Sequence, residues 1–358
     1  MRVEVIRPRD LSAEHKRLWT DIQHGSLELQ NPYFSHQFAS ILDIARDDAR
    51  TAVLTDSGHA VGFFPFHEKP FRIGAPIGGP ISDYHGLIAP NGFEISPAAL
   101  LRGCGLDAFD YNHALSSQRN FAQAAFAWSA SPALDLSSGY DAYRKTINAT
   151  GTSELKSAER KMRKIEREVG PLRFVANDES DDAWIKLLKW KNAAYDVLGV
   201  RSILDVDWAL KTLELIRASE SEEFAGMLSS LYAGEALVAA HFGMRSRTIW
   251  HWWFPTYAPE YEKYSPGIAL LLEMARWGGE NGIIRIDLGR GDARYKLVFG
   301  NAETPLCEGS LAIAASPAGA LRRFRTGVHR AVAAVASPRV TDLQRRALNR
   351  ALGAGRLS

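Results

Sequence analysis

Hydrophobic and polar positions along the chain follow two periods, one typical of strands and one typical of helices. Apolar runs at residues 51–55 and 60–66 flank a turn-rich spacer and predict a β-hairpin. Three further runs, at 224–232, 236–244 and 248–254, are separated by tight polar turns and predict an antiparallel meander. Helical spacing occurs between these runs, so we expect an α/β (α+β) fold with mixed, largely antiparallel sheets.

The clearest helical signals follow the first third of the chain. Residues 139–169 predict one long polar helix that a Gly-Pro pair ends. Its lysines and arginines are interleaved with glutamates, so it is either a solvated connection between domains or an anion-binding face. A later helix is expected to begin at Ser265, Pro266 and Gly267, with the serine as N-cap and the proline in the first turn.

Shorter signals complete the predicted order of elements. The Gly- and Pro-rich residues 74–80 predict an ordered loop that leads into Ser82, Asp83 and Tyr84. Residues 283–288 predict a short buried strand, and a short helix and a final strand near 306–314 follow it.

Length and composition limit the class of protein. The chain has 358 residues and is 46% hydrophobic, which suits two domains and a tail. We expect an N-terminal domain at residues 1–150, a C-terminal domain at 151–317 and a basic helical tail at 318–358. Two distant cysteines and scattered histidines lack the spacing of metal ligands, so no metal is expected. The charged N-terminus and the lack of a long apolar run predict a cytoplasmic protein.

Positive charge is concentrated near the C-terminus. The net charge is +2, which excludes a chain whose whole surface is built for nucleic acid. Residues 318–358 hold nine arginines and one aspartate, so the preceding part is net acidic. Leu321, Phe324 and Val328 recur at helical spacing between these arginines. Such a basic amphipathic helix either packs on the body or binds peripherally, at the inner face of a membrane or on a partner.

Two features between residues 257 and 300 could carry chemistry. The helix beginning at Ser265 presents unpaired N–H groups and the positive end of its dipole, which is either an ordinary capped helix start or a phosphate site. Asp287 lies at the end of a predicted strand, where its carboxylate could act as a base or cap the next turn. The chain has no Gly-x-Ser-x-Gly motif and no Gly-Lys-Ser/Thr phosphate loop, which argues against a serine hydrolase and a nucleotide triphosphatase.

Several short motifs resemble one family. The motifs are Tyr264-Ser265-Pro266-Gly267, Ile286-Asp287-Leu288-Gly289-Arg290-Gly291, Tyr295-Lys296, Asn31-Pro32-Tyr33-Phe34, Ser82-Asp83-Tyr84 and the basic helix at 155–169. Together they resemble the CelD/BcsL-type acetyltransferases of polysaccharide biosynthesis, over about residues 30–310. Those proteins are double-domain relatives of the GNAT-type N-acyltransferases and of the FemAB aminoacyltransferases. The resemblance implies tandem GNAT-like domains, of which the N-terminal one is degenerate.

The resemblance also implies a reaction. Acyl-CoA, most simply acetyl-CoA, would be the co-substrate, with its pyrophosphate near Ser265, Pro266 and Gly267. The acceptor would be an amine or hydroxyl of a small-molecule or lipid-linked sugar precursor of an extracellular polysaccharide. This acceptor would meet the thioester where the central strands part. The basic tail would be a possible contact with a polysaccharide-synthesis complex.

Direct acyl transfer needs a base for the acceptor and an acid for the departing thiolate. We expect Asp287 to be the base. Tyr295, on the short helix after that strand, is similar in position to the thiolate acid of many GNAT proteins, so it is either this acid or a packed aromatic residue with a satisfied hydroxyl. His241, at the centre of a strand, is a third catalytic candidate or a hydrogen-bonded core histidine. 

Acceptor contacts are expected from the N-terminal domain and from the same short helix. Asp83 and Tyr84 either line the cleft between the domains or form a structural turn. Lys296 either contacts the acceptor or is a surface lysine.

Two alternatives of different class stay open. An aminoacyl-tRNA donor, as FemAB relatives use, would suit the basic helix at 155–169, but its glutamates weaken the attraction to phosphate, so nucleic acid is not expected as a partner. The other is a catalytically inactive scaffold subunit of an envelope-polysaccharide assembly.

Overall fold

One mixed β-sheet of 13 strands runs through the described part of the chain. The computed structural model describes the backbone of residues 1–335 and their side chains except at 323 and 328–335. The strands are β1 (Arg2–Ile6), β2 (Ala49–Asp56), β3 (His59–Lys69), β4 (Ile73–Pro76), β5 (Ala108–Leu115), β6 (Ala125–Asp135), β7 (Leu172–Val175), β8 (Ala225–Ala233), β9 (Ala236–Arg245), β10 (Ile249–His251), β11 (Phe254–Tyr257), β12 (Arg285–Asp287) and β13 (Ala302–Ala312). The helices are α1 (Ala13–His24), α2 (His36–Ala45), α3 (Pro97–Gly103), α4 (Arg119–Ala124), α5 (Tyr140–Ala149), α6 (Glu154–Glu168), α7 (Asp181–Val197), α8 (Asp207–Arg217), α9 (Pro266–Glu280), α10 (Arg294–Phe299) and α11 (Pro317–Val335).

The same order of elements occurs twice along the chain. The N-terminal copy runs β1, α1, α2, β2, β3, β4, α3, β5, α4, β6, and the C-terminal copy runs β7, α7, α8, β8, β9, β10–β11, α9, β12, α10, β13. Across the sheet the order is β1-β2-β3-β4-β5-β13-β6-β12-β10-β9-β8-β7. Each strand thus mirrors its counterpart about the centre of the sheet. The predicted α/β fold with related halves and a largely antiparallel sheet is confirmed.

The last strand of each copy pairs with the other copy. β13 lies between β5 and β6 and runs antiparallel to both. β6 in turn pairs with β12, so that Ala133 lies opposite Asp287. The two copies therefore share the middle of one sheet and cannot be separated without breaking its central ladders.

Helices cover the sheet and bury aromatic side chains from both copies. One continuous hydrophobic cluster contains Trp19 stacked on Phe63 (ring centroids 4.7 Å apart) and Trp184 against Phe242 (4.9 Å). Full burial of a large apolar side chain contributes about 1.5–3 kcal/mol. This shared cluster holds the two copies in a fixed relation, which a site built from both of them requires.

Most of the predicted elements are present. The hairpin is β2 and β3, and the meander is β8, β9 and the strand that divides into β10 and β11. The single helix expected over 139–169 is wrong, because Gly151 takes φ +75° between α5 and α6. Glycine adopts this left-handed conformation without steric penalty, so the helix ends there. The loop expected at 74–80 is wrong in its first half, because β4 pairs with β3.

The start of the basic tail packs on the sheet. The guanidinium of Arg322 donates to Asp110 (Nε–Oδ1 2.9 Å, Nη2–Oδ2 2.5 Å) and is largely buried, whereas Leu321 and Phe324 are exposed. The predicted apolar face of this helix is thus not turned inward at these two positions. Residues 336–358 lie outside the described residues, and the membrane or partner contact stays a prediction. No helix in residues 1–335 is long and apolar enough to cross a bilayer.

Candidate active site at the parting of two strands

Near the middle of the sheet, the strand after His251 leaves its parallel neighbour. β10 lies beside β12, with His251 opposite Asp287. The N–H of Trp252 still donates to the carbonyl of Asp287 (2.7 Å), but the N–H of Trp253 donates to Nε2 of His241 (3.1 Å). β11 then pairs with β9 and no longer with β12. A gap therefore opens between β11 and the segment that follows β12.

The carboxylate of Asp287 lies at the base of this gap and is fully engaged. Oδ2 accepts the hydroxyl of Tyr84 (2.5 Å), and Oδ1 accepts Ser131 Oγ (2.9 Å) and the N–H of Gly289 (2.9 Å). Oδ1 also lies 3.2 Å from Nδ1 of His251. Asp287 is only 1% exposed. An acceptor could reach this carboxylate only by displacing one of these partners, so the geometry favours a positioning role for Asp287, and the base role expected from the sequence stays a prediction.

His251 connects the buried carboxylate to an accessible one. Its Nε2 lies 3.0 Å from Oδ2 of Asp83, whose side chain is 30% exposed. Burial would lower the pKa of His251, but hydrogen bonds to Asp287 and Asp83 outweigh it and raise the pKa to about 9. Burial would raise the pKa of Asp83, but its hydrogen bond to His251 holds it well below the usual range. At neutral pH the site therefore holds an imidazolium between two carboxylates.

Buried tyrosines form the wall behind His251. The side chain of Asn31 accepts the N–H of Tyr33 (3.3 Å) and so fixes the Asn-Pro-Tyr-Phe turn. The Tyr33 ring meets the His251 ring edge to face, with centroids 5.0 Å apart. Burial raises the pKa of Tyr33 and of Tyr84 well above 10, and the neighbouring carboxylates add to the effect. Both phenols stay neutral, and Tyr84 can donate to Asp287.

Two lysines border the gap. Lys296 Nζ donates to the carbonyls of Gly289 (3.0 Å) and Arg290 (3.1 Å), and burial lowers its pKa. Lys191 extends from α7, and its Nζ donates to the carbonyl of Pro255 in β11 (3.4 Å). Burial and then the charge of Lys296 lower the pKa of Lys191 to about 8.

At the far end of β11, the start of α9 is uncapped by a side chain. Ser265 occupies the N-cap position in the left-handed conformation (φ 54°, ψ 53°), and the expected side-chain cap is wrong. Its hydroxyl instead accepts Lys161 Nζ from α6 (2.7 Å). A Cβ at Gly267 would meet only the Tyr257 ring, at 3.6 Å. The helix start thus has a lysine beside it and open space at its second residue.

The corresponding helix of the N-terminal copy is closed. α3 begins at Pro97 and has Ser96 in the N-cap position, just as α9 begins at Pro266 and has Ser265 in the N-cap position. In α3, however, the serine hydroxyl accepts the N–H of Ala99 (3.2 Å) in an ordinary cap. The two copies therefore differ at the position where a phosphate could approach the backbone.

The gap between β4 and β5 in the N-terminal copy is also filled. The N–H of His85 donates to the carbonyl of His113 (3.0 Å), and its carbonyl accepts the N–H of Leu115 (3.2 Å). The same segment carries Tyr84 to Asp287 on β12 and Asp83 to His251 on β10 of the other copy. The N-terminal copy thus closes its own gap and supplies side chains to the other.

The structure brings together Asp83, Tyr84, Asp287 and Lys296 from the sequence-predicted set. The two other catalytic candidates, Tyr295 and His241, have different surroundings from these four residues. Burial raises the pKa of Tyr295 on α10, and the indole of Trp252 partly offsets this. 

His241 stacks on Trp252 (centroids 4.6 Å apart), and burial lowers its pKa far below 6.5. With its Nε2 accepting the N–H of Trp253, it has the contacts of a core histidine.

Sequence reasoning missed His251, Ser131 and Lys191. His251 stands in an aromatic strand, and its meaning depends on the register that places it opposite Asp287. Ser131 lies on β6, which reaches Asp287 only through the strand exchange. The one available signal was a polar residue inside a buried aromatic run at 248–254.

Comparison with known proteins gives one family match and several proteins of similar fold. Residues 152–297 match the family described as "Acetyltransferase (GNAT) domain". Among solved structures, FemX is similar with a TM-score of 0.57 and 10% identity, over 91% of this chain and 100% of that one. A DUF2156 domain from Agrobacterium fabrum, described as the C-terminal domain of a lysylphosphatidylglycerol synthetase, gives a TM-score of 0.52 and 13% identity, over 87% and 96%. No curated protein sequence matches. At these identities the structural likeness concerns the fold alone.

Proposed function

We propose that this chain, which contains a GNAT-like acetyltransferase domain at residues 152–297, transfers an acyl group from acyl-CoA to an amine of a sugar precursor in extracellular polysaccharide biosynthesis. Acetyl-CoA is the simplest donor. The observation that carries the proposal is the gap beside β11, which leads from the uncapped start of α9 to the accessible carboxylate of Asp83.

The donor side of the proposal rests on the start of α9. GNAT domains use acyl-CoA, and a helix N-terminus attracts phosphate through its free N–H groups and dipole. Lys161 adds a positive charge, and Gly267 leaves room for a phosphate near the backbone. β11 has four residues and spans about 10 Å. A pantetheine arm laid along its free edge would bring the thioester toward Asp83.

The acceptor side rests on Asp83. Its carboxylate accepts a hydrogen bond from the attacking group and orients it toward the thioester carbonyl. A carboxylate with a depressed pKa is a weak base, which suits an amine better than a hydroxyl. Once the C–N bond forms, the nitrogen is cationic, and its proton becomes strongly acidic as the C–S bond breaks and the nitrogen becomes that of an amide, so the proton can then pass to Asp83. The imidazolium of His251 keeps that carboxylate ionised and in place.

The remaining step is protonation of the CoA thiolate as the C–S bond breaks. Tyr295 keeps its phenolic proton at neutral pH, because burial raises its pKa. It stays our candidate for this acid, as the sequence predicts.

Calorimetric titration with acetyl-CoA tests the donor site. We expect Gly267→Glu to abolish binding, because it places bulk and negative charge at the proposed pyrophosphate position. The matched control is Ala98→Glu, which changes the second residue of α3, the equivalent helix of the other copy. It should bind as wild type does. Equal binding by wild type and Gly267→Glu would contradict the pyrophosphate position at the start of α9, whereas no binding by wild type would contradict the acyl-CoA donor and favour a tRNA-dependent or scaffold role.

A further inference from the structure

Lys191 and Lys296 approach the same gap from two different helices, and each donates to backbone carbonyls there. Lys191 reaches it from α7 and Lys296 from α10, and each ammonium donates only to backbone carbonyls. Both side chains are partly buried. Neither forms an ion pair with a carboxylate within residues 1–335. Asp83 offsets part of the charge of Lys296, but the two ammonium groups still repel each other across the gap, and an anion bound between them would relieve this repulsion.

Both lysines lie close to the accessible carboxylate. A Cβ built on Gly289, whose carbonyl accepts from Lys296, would lie 3.1 Å from Oδ2 of Asp83. Lys191 lies 5.6 Å from the centroid of the Tyr195 ring, and the charge of Asp83 contributes to raising the pKa of that tyrosine. An anion held by the lysines would therefore lie beside a group bound to Asp83.

We propose that Lys191 and Lys296 bind an anionic group of the acceptor, a phosphate ester or a carboxylate, next to the amine that Asp83 holds. That the anion belongs to the acceptor rests on the proposed function, whereas the existence of an anion site at the two lysines does not. The donor phosphates have a separate place at the start of α9, at the other end of β11. An acceptor of this class, such as an amino sugar that bears a phosphate or a uronic acid, fits the charge of the gap.

Lysine labelling with pyridoxal 5′-phosphate tests the site without knowledge of the acceptor. The aldehyde condenses with a neutral lysine amine, water leaves, and borohydride reduces the imine to a stable secondary amine. Lys191 is a suitable target because burial lowers its pKa to about 8. 5′-Deoxypyridoxal has the same free aldehyde, no phosphate and no hydroxyl that could close on the aldehyde, so the ratio of the two labelling rates, measured by peptide mass spectrometry, reports the anion site.

We expect the phosphate-bearing aldehyde to label Lys191 at least about tenfold faster than 5′-deoxypyridoxal does, because charge-assisted hydrogen bonds commonly contribute that factor. Inorganic phosphate should suppress the difference, and Lys296→Met should bring the ratio close to one. Lys186 is the matched control, since it is exposed on the same helix and paired with Asp182 (2.7 Å). Its two labelling rates should be similar.

Two results would overturn the proposal. Equal labelling of Lys191 by the two aldehydes would show that no anion site exists there. Protection of Lys191 by CoA, at concentrations where inorganic phosphate gives none, would assign the lysines to the donor. Because the acetyl-CoA titration is independent of this labelling, failure of the proposed function and failure of the anion site are distinguishable.

Discussion

His251 lies between two carboxylates, and its proton is part of the structure. With one ring nitrogen 3.2 Å from Asp287 and the other 3.0 Å from Asp83, only the imidazolium can donate to both. Loss of the proton would leave two carboxylates with one donor between them. The arrangement of the site should therefore depend on pH above neutrality.

Folding stability should fall on the alkaline side because of this histidine. Its folded-state pKa of about 9 exceeds the ordinary 6.5, so the stabilisation is complete below pH 6.5 and is lost as the pH rises through 9. The shift corresponds to on the order of 3 kcal/mol. Urea unfolding at pH 6.5 and 9.5 should show a larger decrease for wild type than for His251→Asn. Parallel decreases in the two proteins would exclude a charged His251.

Asp83 and Asp287 should differ in their effect on the reaction. Asp83→Asn removes the group that orients the acceptor and takes its proton, so kcat should fall about 10²-fold or more. Asp287→Asn removes one of the two carboxylates that raise the pKa of His251, so the alkaline limb of the pH–rate profile should move to lower pH. Release of CoA thiol would be followed with whichever amino sugar wild type acetylates fastest.

The contrast between the two variants is informative. A full loss of activity in Asp287→Asn with an unchanged rate in Asp83→Asn would identify Asp287 as the base.

At the residue scale, sequence reasoning found residue types at strand ends and in turns, including Asp83 and Asp287. It could not separate the accessible carboxylate from the buried one, because their exposure depends on contacts with Tyr84 and Ser131 from the other copy.

At the scale of elements, the close approach of β9 to the end of β10 directs β11 toward β9 and away from β12. A Cβ on Gly243 would lie 2.1 Å from the carbonyl oxygen of His251 and 2.6 Å from the His241 ring. The first of these atoms is backbone and cannot move aside without shifting β10. Position 243 therefore needs glycine because β9 and β10 approach closely there. A left-handed backbone conformation is not the reason.

Gly243→Ala should destabilise the fold by about 1–3 kcal/mol, the usual range for overpacking in a core. It should also weaken acetyl-CoA binding, since the gap beside β11 would change shape. Denaturant unfolding and calorimetry measure the two effects. Gly267→Ala serves as the control for stability, because its Cβ meets only the Tyr257 ring at an ordinary 3.6 Å. Wild-type stability in Gly243→Ala would show that β9 and β10 can separate freely.

Hydrophobic periodicity predicted the hairpin, the meander and the helix after Ser265, since these depend on local pattern. It failed where single residues act through conformation. Gly151 divides a helix that its flanking charges favour, and Ser265 takes a left-handed conformation and leaves the helix uncapped. Neither event changes the periodicity of apolar positions.

The whole molecule is a pair of matched halves that complete each other. Because β13 fills the space between β5 and β6, and β12 lies on the other side of β6, residues 1–150 alone would leave β5 with an open edge and β6 with no partner strand. Open hydrophobic edges of this length favour aggregation. Sequence patterns show no trace of this exchange, because strand order is a long-range property.

Residues 1–150 expressed alone should therefore aggregate or fail to fold cooperatively, whereas residues 1–335 should unfold in a single transition. Size-exclusion chromatography and circular dichroism measure both. Co-expression of residues 1–150 and 151–335 is the control, because the second fragment supplies β13 in trans. A soluble, cooperatively folded first fragment would contradict the role given to the strand exchange.

The exchange of final strands also delays completion of the fold during synthesis. β6 ends at Asp135, and β13 begins at Ala302, so roughly 170 residues must leave the ribosome before the space between β5 and β6 is filled. At 5–20 residues per second this takes on the order of ten to thirty seconds. During that interval a nearly complete half exposes pairing edges to every nearby nascent chain. The cell must keep this chain apart from its neighbours for that time, and holdase chaperones are suited to that task.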